Sequence, residues 1–213
     1  NEIGGDISSP LGDSVNFLGV ESIDNFVFER TKVRFEDNES TLKIIAKNEN
    51  QVPDDIVHIF DHFNADLPFR QVEQLLLDEG WENEQIWNLI ADGQGTGNRD
   101  VLIGGSGDDT LVSGGGADLM QGGSGVDTFK LGSSSVQVSE INAAHGDVTI
   151  IRDLVAGENV DLTAIGVTIS DASTELNVVA DSASEHRYIV HNGTTILAEL
   201  ESDVAAADIN YII

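Results

Sequence analysis

Residues 104–130 read GGSGDDTLVSGGGADLMQGGSGVDTFK, and this stretch decides how the chain folds. In units of nine, the segment from 95 to 130 becomes GTGNRDVLI, GGSGDDTLV, SGGGADLMQ and GGSGVDTFK, with glycine dominating the first four places. The sixth place is always aspartate and the eighth a large apolar residue: Asp100, Asp109, Asp118 and Asp127, then Leu102, Leu111, Met120 and Phe129. A flexible glycine linker has no reason to keep two different constraints in phase. The segment is therefore predicted to be folded.

Each unit has the chemistry of a tight turn followed by a short strand. Glycine lacks a Cβ, so the carbonyl oxygens of such a turn can point at one spot, and the aspartate adds a carboxylate. The next three residues form a strand whose middle side chain turns inward. Two units make one coil, so the turn ending at Asp100 should face residues 113–118, and the turn ending at Asp109 should face residues 122–127.

The gap between two stacked turns presents only oxygen atoms, a donor set that favours Ca²⁺ over Mg²⁺ or Zn²⁺. The predicted Ca²⁺ ligands are thus the four aspartates and the glycines of the same turns. These glycines are Gly95, Gly97, Gly104, Gly105, Gly107, Gly114, Gly116, Gly122, Gly123 and Gly125.

The nonapeptide resembles GGxGxDxUx, the Ca²⁺-binding repeat of RTX proteins, in which U is a large apolar residue. The resemblance implies a Ca²⁺-bound parallel β-roll with at least two complete sites. The chain departs from the pattern at Ser113, which replaces the first glycine of its unit, and at Thr96 and Asn98 in the first unit. The weakest site should therefore involve the first unit.

Two flanking segments extend the resemblance. HGDVTIIRDLVAGENVDLTAIG, residues 145–166, is similar to the segment that follows the repeats in RTX proteins exported by type I secretion. The likeness implies a further capping Ca²⁺ site at Asp153, Glu158 and Asp161, and the alternative is a solvated acidic turn. Glu158-Asn159 replaces the usual acidic pair, and Leu154 stands where phenylalanine is usual. Residues 72–86, VEQLLLDEGWENEQI, more loosely resemble the strand and turn that precede such repeats.

The flanks alternate apolar and polar residues with a period of two, which is typical of half-buried strands. We predict a mainly β protein: a β-rich flanking region over residues 1–94, a β-roll over 95–130, and a β-rich cap and secretion-signal region over 131–213. Ile86, Leu89 and Ile90 have helical spacing, so one short helix before the roll is expected near residues 83–90.

The composition restricts the function classes. The chain has 213 residues and a formal net charge of −28, which argues against nucleic acid or an anionic membrane as a partner. It has no cysteine, so disulfides and thiolate metal sites are excluded. No apolar run approaches the ~18 residues that span a bilayer, and membrane insertion is not expected. The start, NEIGGDISS, has no signal-peptide pattern, which favours the C-terminal part of a longer protein.

The sequence lacks the common signatures of hydrolases and zinc proteases. There is no G-x-S-x-G and no HExxH motif in the sequence, so we do not expect an enzyme. His58 and His62 lie four residues apart, a spacing that would share one face of a helix. The segment has the pattern of a strand instead, with both histidines on one side, and a transition-metal site there is not expected.

The function that the resemblance implies is a Ca²⁺-binding RTX C-terminal module that folds on secretion through a type I system. We expect it to end a bacterial cell-surface adhesin, secreted or at the surface of a Gram-negative bacterium, and to be monomeric. Its expected partners are Ca²⁺, the type I secretion machinery and a host or surface ligand of the full-length protein. Two alternatives are the C-terminal tail of an RTX lipase or protease, and a sugar- or peptide-binding adhesion module in residues 1–92.

Overall fold

The computed structural model divides the chain into two compact units, residues 1–92 and residues 93–213. The residues that it describes are 14–17, 22–31, 41–47, 53–59, 62–63, 74–77, 85–90, 92–135, 148–166, 176–180, 187–191, 195–202 and 204–213. Within these ranges nearly all regular structure is β, as predicted, and the helical elements are three short 3₁₀ turns: Ile23–Asn25, Thr163–Ile165 and Ala206–Asp208.

Eighteen strands follow one another along the described chain. They are β1 (Ser14–Phe17), β2 (Phe26–Thr31), β3 (Thr41–Lys47), β4 (Pro53–Ile59), β5 (Gln74–Leu77), β6 (Gln85–Ile90), β7 (Asp100–Ile103), β8 (Thr110–Val112), β9 (Gly115–Gly116), β10 (Leu119–Gln121), β11 (Thr128–Lys130), β12 (Ser134–Ser135), β13 (Ile150–Ile151), β14 (Asn159–Asp161), β15 (Leu176–Ala180), β16 (Arg187–His191), β17 (Thr195–Leu200) and β18 (Asn210–Ile212).

The first unit contains a three-stranded antiparallel sheet in the order β2-β3-β4. Alternate side chains of β2 and β3 form its buried face, with Phe28 opposite Ile44 and both 0% exposed. Elsewhere in this unit β1 runs parallel to β5, and β5 runs antiparallel to β6. The period-two alternation of the sequence thus predicted β2 and β3 through burial of one face.

The prediction of a short helix near residues 83–90 is wrong. Residues Gln85–Ile90 form strand β6, which pairs with β5 so that Trp87 lies opposite Leu75. Trp87 and Leu89 are 1% and 6% exposed, two residues apart as in a strand. Ile86, Leu89 and Ile90 also have helical spacing, so the apolar pattern is compatible with a helix or a strand. Pairing with β5 stabilises the strand.

The second unit contains a parallel β-roll made of two ladders. In one ladder β7, β10, β13 and the end of β17 pair in parallel. In the other, β8, β11, β14 and β18 pair in parallel. The aligned inward positions are Leu102, Met120, Ile151 and Leu200 in the first ladder, and Leu111, Phe129, Val160 and Tyr211 in the second.

The parallel ladders continue beyond the glycine-rich units. Residues 148–162 and 199–212 each supply one strand to both ladders, so they add two coils after residue 130. Before the last coil, β15, β16 and β17 form an antiparallel sheet over a small core of Val148, Tyr188, Val190 and Ile196. Residue 130 is thus the end of the nine-residue period, while the β-roll extends to Ile212.

Candidate calcium sites

The turns of the roll form two stacks in which neighbouring turns are 18 residues apart. In the first stack the backbone N–H of Asp100 donates to Oδ1 of Asp118 at 3.0 Å. In the second the backbone N–H of Asp109 donates to Oδ1 of Asp127 at 2.8 Å. The turn of Asp100 therefore meets residues 113–118, and that of Asp109 meets residues 122–127. This is the arrangement that two units per coil require.

The first carboxylate of each stack is held within its own turn. The backbone N–H of Thr96 donates to Oδ2 of Asp100, and the backbone N–H of Gly105 donates to Oδ2 of Asp109 at 2.7 Å. These bonds fix each side chain at the edge of the gap that the next turn closes. Each gap thus has one aspartate from either side.

The second carboxylate of each stack has an oxygen without a protein donor. Asp118 and Asp127 are both 0% exposed, and Oδ2 of each is buried without a hydrogen-bond partner. Burial, helped by the Asp100 carboxylate, raises the pKa of Asp118 from 3.8 to about 8. Burial also raises the pKa of Asp127. A buried carboxylate oxygen with no donor costs roughly 1–3 kcal/mol or more, and a cation would remove that cost.

Carbonyl oxygens complete the surroundings of each gap. Gly116 has a φ of +90° and Gly125 a φ of +136°, a backbone conformation that glycine adopts without strain. A Cβ at Gly116 would overlap the carbonyl oxygen of Asn98, and a Cβ at Gly125 would overlap that of Gly107. The turns therefore approach so closely that no side chain fits between them.

The other predicted glycines lie in the same two stacks. A Cβ at Gly95, Gly104, Gly114, Gly122 or Gly123 would also overlap an atom of the neighbouring or the same turn, whereas Gly97 and Gly107 have open space around the Cβ position. Carboxylates and closely held carbonyl oxygens are the donors that Ca²⁺ prefers, so the residues of both gaps fit this ion. Asp100 and Asp118 would hold one ion, and Asp109 and Asp127 another, each with carbonyl oxygens of its two turns.

The second stack continues with a third acidic turn, residues 152–158. Both oxygens of Asp153 accept backbone N–H groups of the preceding turn, from Gly122 and Gly123, each at 2.8 Å. Glu158 lies at the place in the next coil that corresponds to Asp127, because the residues that follow them, Thr128 and Asn159, are paired. Glu158 is 2% exposed. Burial raises the pKa of Glu158, and the carboxylates of Asp127 and Asp153 raise it further. The structure therefore groups Asp127, Asp153 and Glu158.

Asp161 is not part of this acidic group, although the sequence paired it with Asp153. Its Oδ2 lies 3.2 Å from Nζ of Lys130, and Oδ1 accepts the backbone N–H of Thr163 at 3.0 Å. Burial alone would raise the pKa of Asp161, but the bonds to Thr163 and Lys130 lower it overall. Of the three residues expected at the capping site, the structure thus brings Asp153 and Glu158 together, and Glu158-Asn159-Val160 repeats the acidic-x-apolar spacing of the nonapeptides.

The first stack ends on hydroxyl groups rather than carboxylates. Thr149 lies at the place in the next coil that corresponds to Asp118, because Leu119 pairs with Ile150. The backbone N–H of Asp118 lies 3.4 Å from Oγ1 of Thr149. The hydroxyl of Ser113 lies 2.8 Å from that of Ser135 and accepts the backbone N–H of Gly132 at 2.9 Å. Among the described residues the two stacks thus differ, because the second continues with acidic side chains and the first with hydroxyl groups.

The two histidines of the first unit are in different environments. His58 is exposed, whereas His62 is 1% exposed and packs edge-on against Phe63. Burial, and then the Arg30 guanidinium, lowers the pKa of His62 to about 4. No cluster of three or more His, Asp or Glu side chains suited to a metal occurs in the part of the chain that the structure describes. The gaps of the roll pair two carboxylates with backbone carbonyls instead.

Residues 94–129 match the family model of the RTX calcium-binding nonapeptide repeat, in 4 copies. The chain carries RTX repeats. RTX nonapeptide repeats are calcium-binding, in agreement with the oxygen-lined gaps of the roll. The match ends where the nine-residue period ends, so the two later coils of the roll lie outside it.

One solved structure that the chain resembles is the solution structure of the AlgE6R3 subunit of the mannuronan C5-epimerase from Azotobacter vinelandii. The sequence identity is 22% and the TM-score 0.36, over 55% of this chain and 75% of that chain. No curated protein sequence matches the chain. No helix in the described ranges is long and apolar enough to cross a bilayer.

Proposed function

We propose that this RTX chain is a C-terminal module whose β-roll folds when Ca²⁺ binds after export, and that it ends a bacterial cell-surface adhesin. The observation that carries the calcium-dependent folding is the pair of buried Oδ2 atoms of Asp118 and Asp127, which have no protein donor. Bound Ca²⁺ would supply the positive charge that these oxygens require.

Without the ion, charge opposes folding of the roll. The chain has a net charge of −28, and the stacked turns bring carboxylates together away from water. A group that binds only the folded form adds its binding free energy to the free energy of folding. Extracellular Ca²⁺ sites commonly have dissociation constants of roughly 10⁻⁴–10⁻³ M. An open chain at low cytosolic Ca²⁺ and a folded roll outside the cell follow from these values.

Export by a type I system and a place at the cell surface are supported by the RTX repeats and by the segment after them, residues 145–166. The absence of cysteine from the sequence is compatible with a protein stabilised by hard-metal sites rather than disulfides. The adhesin role rests on the absence of catalytic motifs from the sequence. Residues 1–92, a compact unit of their own, are the place for a surface ligand.

The calcium-dependent function is tested by titrating Ca²⁺ into the calcium-free chain while recording heat release and circular dichroism. We expect saturable binding of at least two ions and a gain of β structure that EGTA reverses. An unchanged spectrum and unchanged protease resistance in EGTA would refute calcium-dependent folding.

The export role needs a separate test. Residues 93–213 fused behind a passenger protein should be secreted by cells that have a type I system and retained by cells that lack it. Retention of this fusion, together with secretion of a fusion to all 213 residues, would show that residues 1–92 are needed and would contradict a secretion role confined to the roll unit.

A further inference from the structure

The two aspartate pairs of the roll differ in how well the protein itself satisfies their carboxylates. The hydroxyl of Thr96 lies 3.0 Å from both Oδ1 and Oδ2 of Asp100, in addition to the bond from the Thr96 backbone N–H. At the equivalent place of the second stack, Gly105 offers Asp109 only its backbone N–H. The Asp100 carboxylate therefore has a hydroxyl donor that the Asp109 carboxylate lacks.

The charge beside each pair differs as well. The fifth place of the first turn is the cationic Arg99, which directly precedes Asp100 in the chain. The fifth place of the corresponding turn in the second stack is Asp108, which accepts the backbone N–H of Val126 across the gap at 2.8 Å. A cation entering the first stack meets a positive neighbour, and one entering the second meets a negative neighbour.

We propose that Thr96 and Arg99 hold the Ca²⁺ affinity of the Asp100–Asp118 site below that of the Asp109–Asp127 site, so that the roll loads in a fixed order. The inference rests on the calcium binding proposed above. To bind the ion, Asp100 must exchange its hydrogen bond from the Thr96 hydroxyl for the metal, whereas Asp109 gives up no such bond. The second stack therefore fills first, and the turn that precedes β7 closes last.

The test is hydrogen exchange with mass spectrometry on the full 213-residue chain across a Ca²⁺ titration, following residues 95–100 and 104–109 separately. In the wild-type chain residues 104–109 should become protected at the lower Ca²⁺ concentration. The variant T96V keeps the shape and the backbone donor but removes the hydroxyl. A hydrogen bond from a hydroxyl to a carboxylate corresponds to a change in affinity on the order of tenfold. T96V should therefore lower the midpoint of residues 95–100 by about tenfold and leave that of residues 104–109 in place.

Two further variants complete the design. R99Q should lower the midpoint of residues 95–100 on the order of twofold, because it removes a nearby positive charge. T110V makes the same chemical change as T96V on the exposed strand position after Asp109, and it should move neither midpoint.

Three outcomes would contradict the proposals, each in a different way. Equal midpoints of the two turns in the wild-type chain would overturn the fixed order of loading. A higher midpoint of residues 95–100 in T96V would show that the hydroxyl is a Ca²⁺ ligand rather than a competitor, and would overturn the role of Thr96. Protection of neither turn at any Ca²⁺ concentration would instead refute the calcium-dependent folding itself.

Discussion

Replacement of Asp118 by asparagine should have opposite effects on the calcium-free and the calcium-bound roll. Oδ1 of Asp118 accepts the backbone N–H of Asp100 at 3.0 Å, while Oδ2 is buried without a donor. Asparagine keeps the accepting oxygen and removes the charge. The calcium-free folded state is thereby relieved of a buried, unpaired carboxylate, and the calcium-bound state loses a ligand.

The size of the effect follows from the pKa of Asp118, which is raised from 3.8 to about 8. At roughly 1.4 kcal/mol per pH unit, this rise corresponds to roughly 5 kcal/mol of lost stability at pH 8. The amide nitrogen that replaces Oδ2 brings N–H donors into a buried place where Oδ2 has no partner, so part of this gain is lost. We therefore expect D118N to stabilise the calcium-free roll by about 2–5 kcal/mol at pH 8.

The assay is urea unfolding followed by circular dichroism, at pH 8, in EGTA and in millimolar Ca²⁺. The matched control is D208N, the same chemical change at an exposed residue of the same unit, which we expect to behave like wild type in both conditions. D118N should show more β structure than wild type in EGTA, and it should unfold at lower urea than wild type in Ca²⁺. An equal loss of stability in both conditions would show that Asp118 is only a structural residue and would refute the reasoning.

Three further predictions concern charge in the roll. In EGTA the free energy of unfolding of the wild-type chain should fall from pH 5 to pH 8, because folding raises the pKa of Asp118. Between the unfolded-state and the folded-state pKa of this group, a rise in pH favours the unfolded state. A free energy of unfolding that stays constant over this pH range in urea melts would contradict the prediction. E158Q should weaken Ca²⁺ binding in calorimetry while D161N leaves it nearly unchanged, since Asp161 pairs with Lys130, and the reverse ranking would restore Asp161 as a ligand. R152Q should lower stability by about 0.5–1.5 kcal/mol equally with and without Ca²⁺, because Arg152 bonds Glu201 at 2.6 Å, and a loss seen only in Ca²⁺ would assign Arg152 to an ion site.

The sequence predicted the aspartate pairs well because they follow from local geometry. One nonapeptide makes one turn and one strand, so two of them return the chain to the same ladder. The partners Asp100 with Asp118 and Asp109 with Asp127 then follow from counting alone. Such an inference needs no knowledge of the rest of the fold.

The later coils could not be found by counting, because long insertions interrupt the period. Between β11 and β13, strand β12 pairs with β9 rather than with a strand of either ladder, and the antiparallel strands β15 and β16 precede the end of β17. Which strand rejoins a ladder, and in which register, is decided by tertiary contacts such as Phe129 aligned with Val160.

The roll changes its source of positive charge from its first coils to its last. Between the first two coils the stacked carboxylates have no basic partner that satisfies the buried Oδ2 atoms of Asp118 and Asp127. Farther along, Lys130 on β11 pairs with Asp161 on β14 at 3.2 Å, and Arg152 joins Glu201 of the last turn at 2.6 Å. Side-chain cations are always present, whereas Ca²⁺ depends on its concentration. Dependence on calcium should therefore be strongest at residues 95–130 and decrease toward Ile212, where ion pairs of the chain itself join one coil to the next.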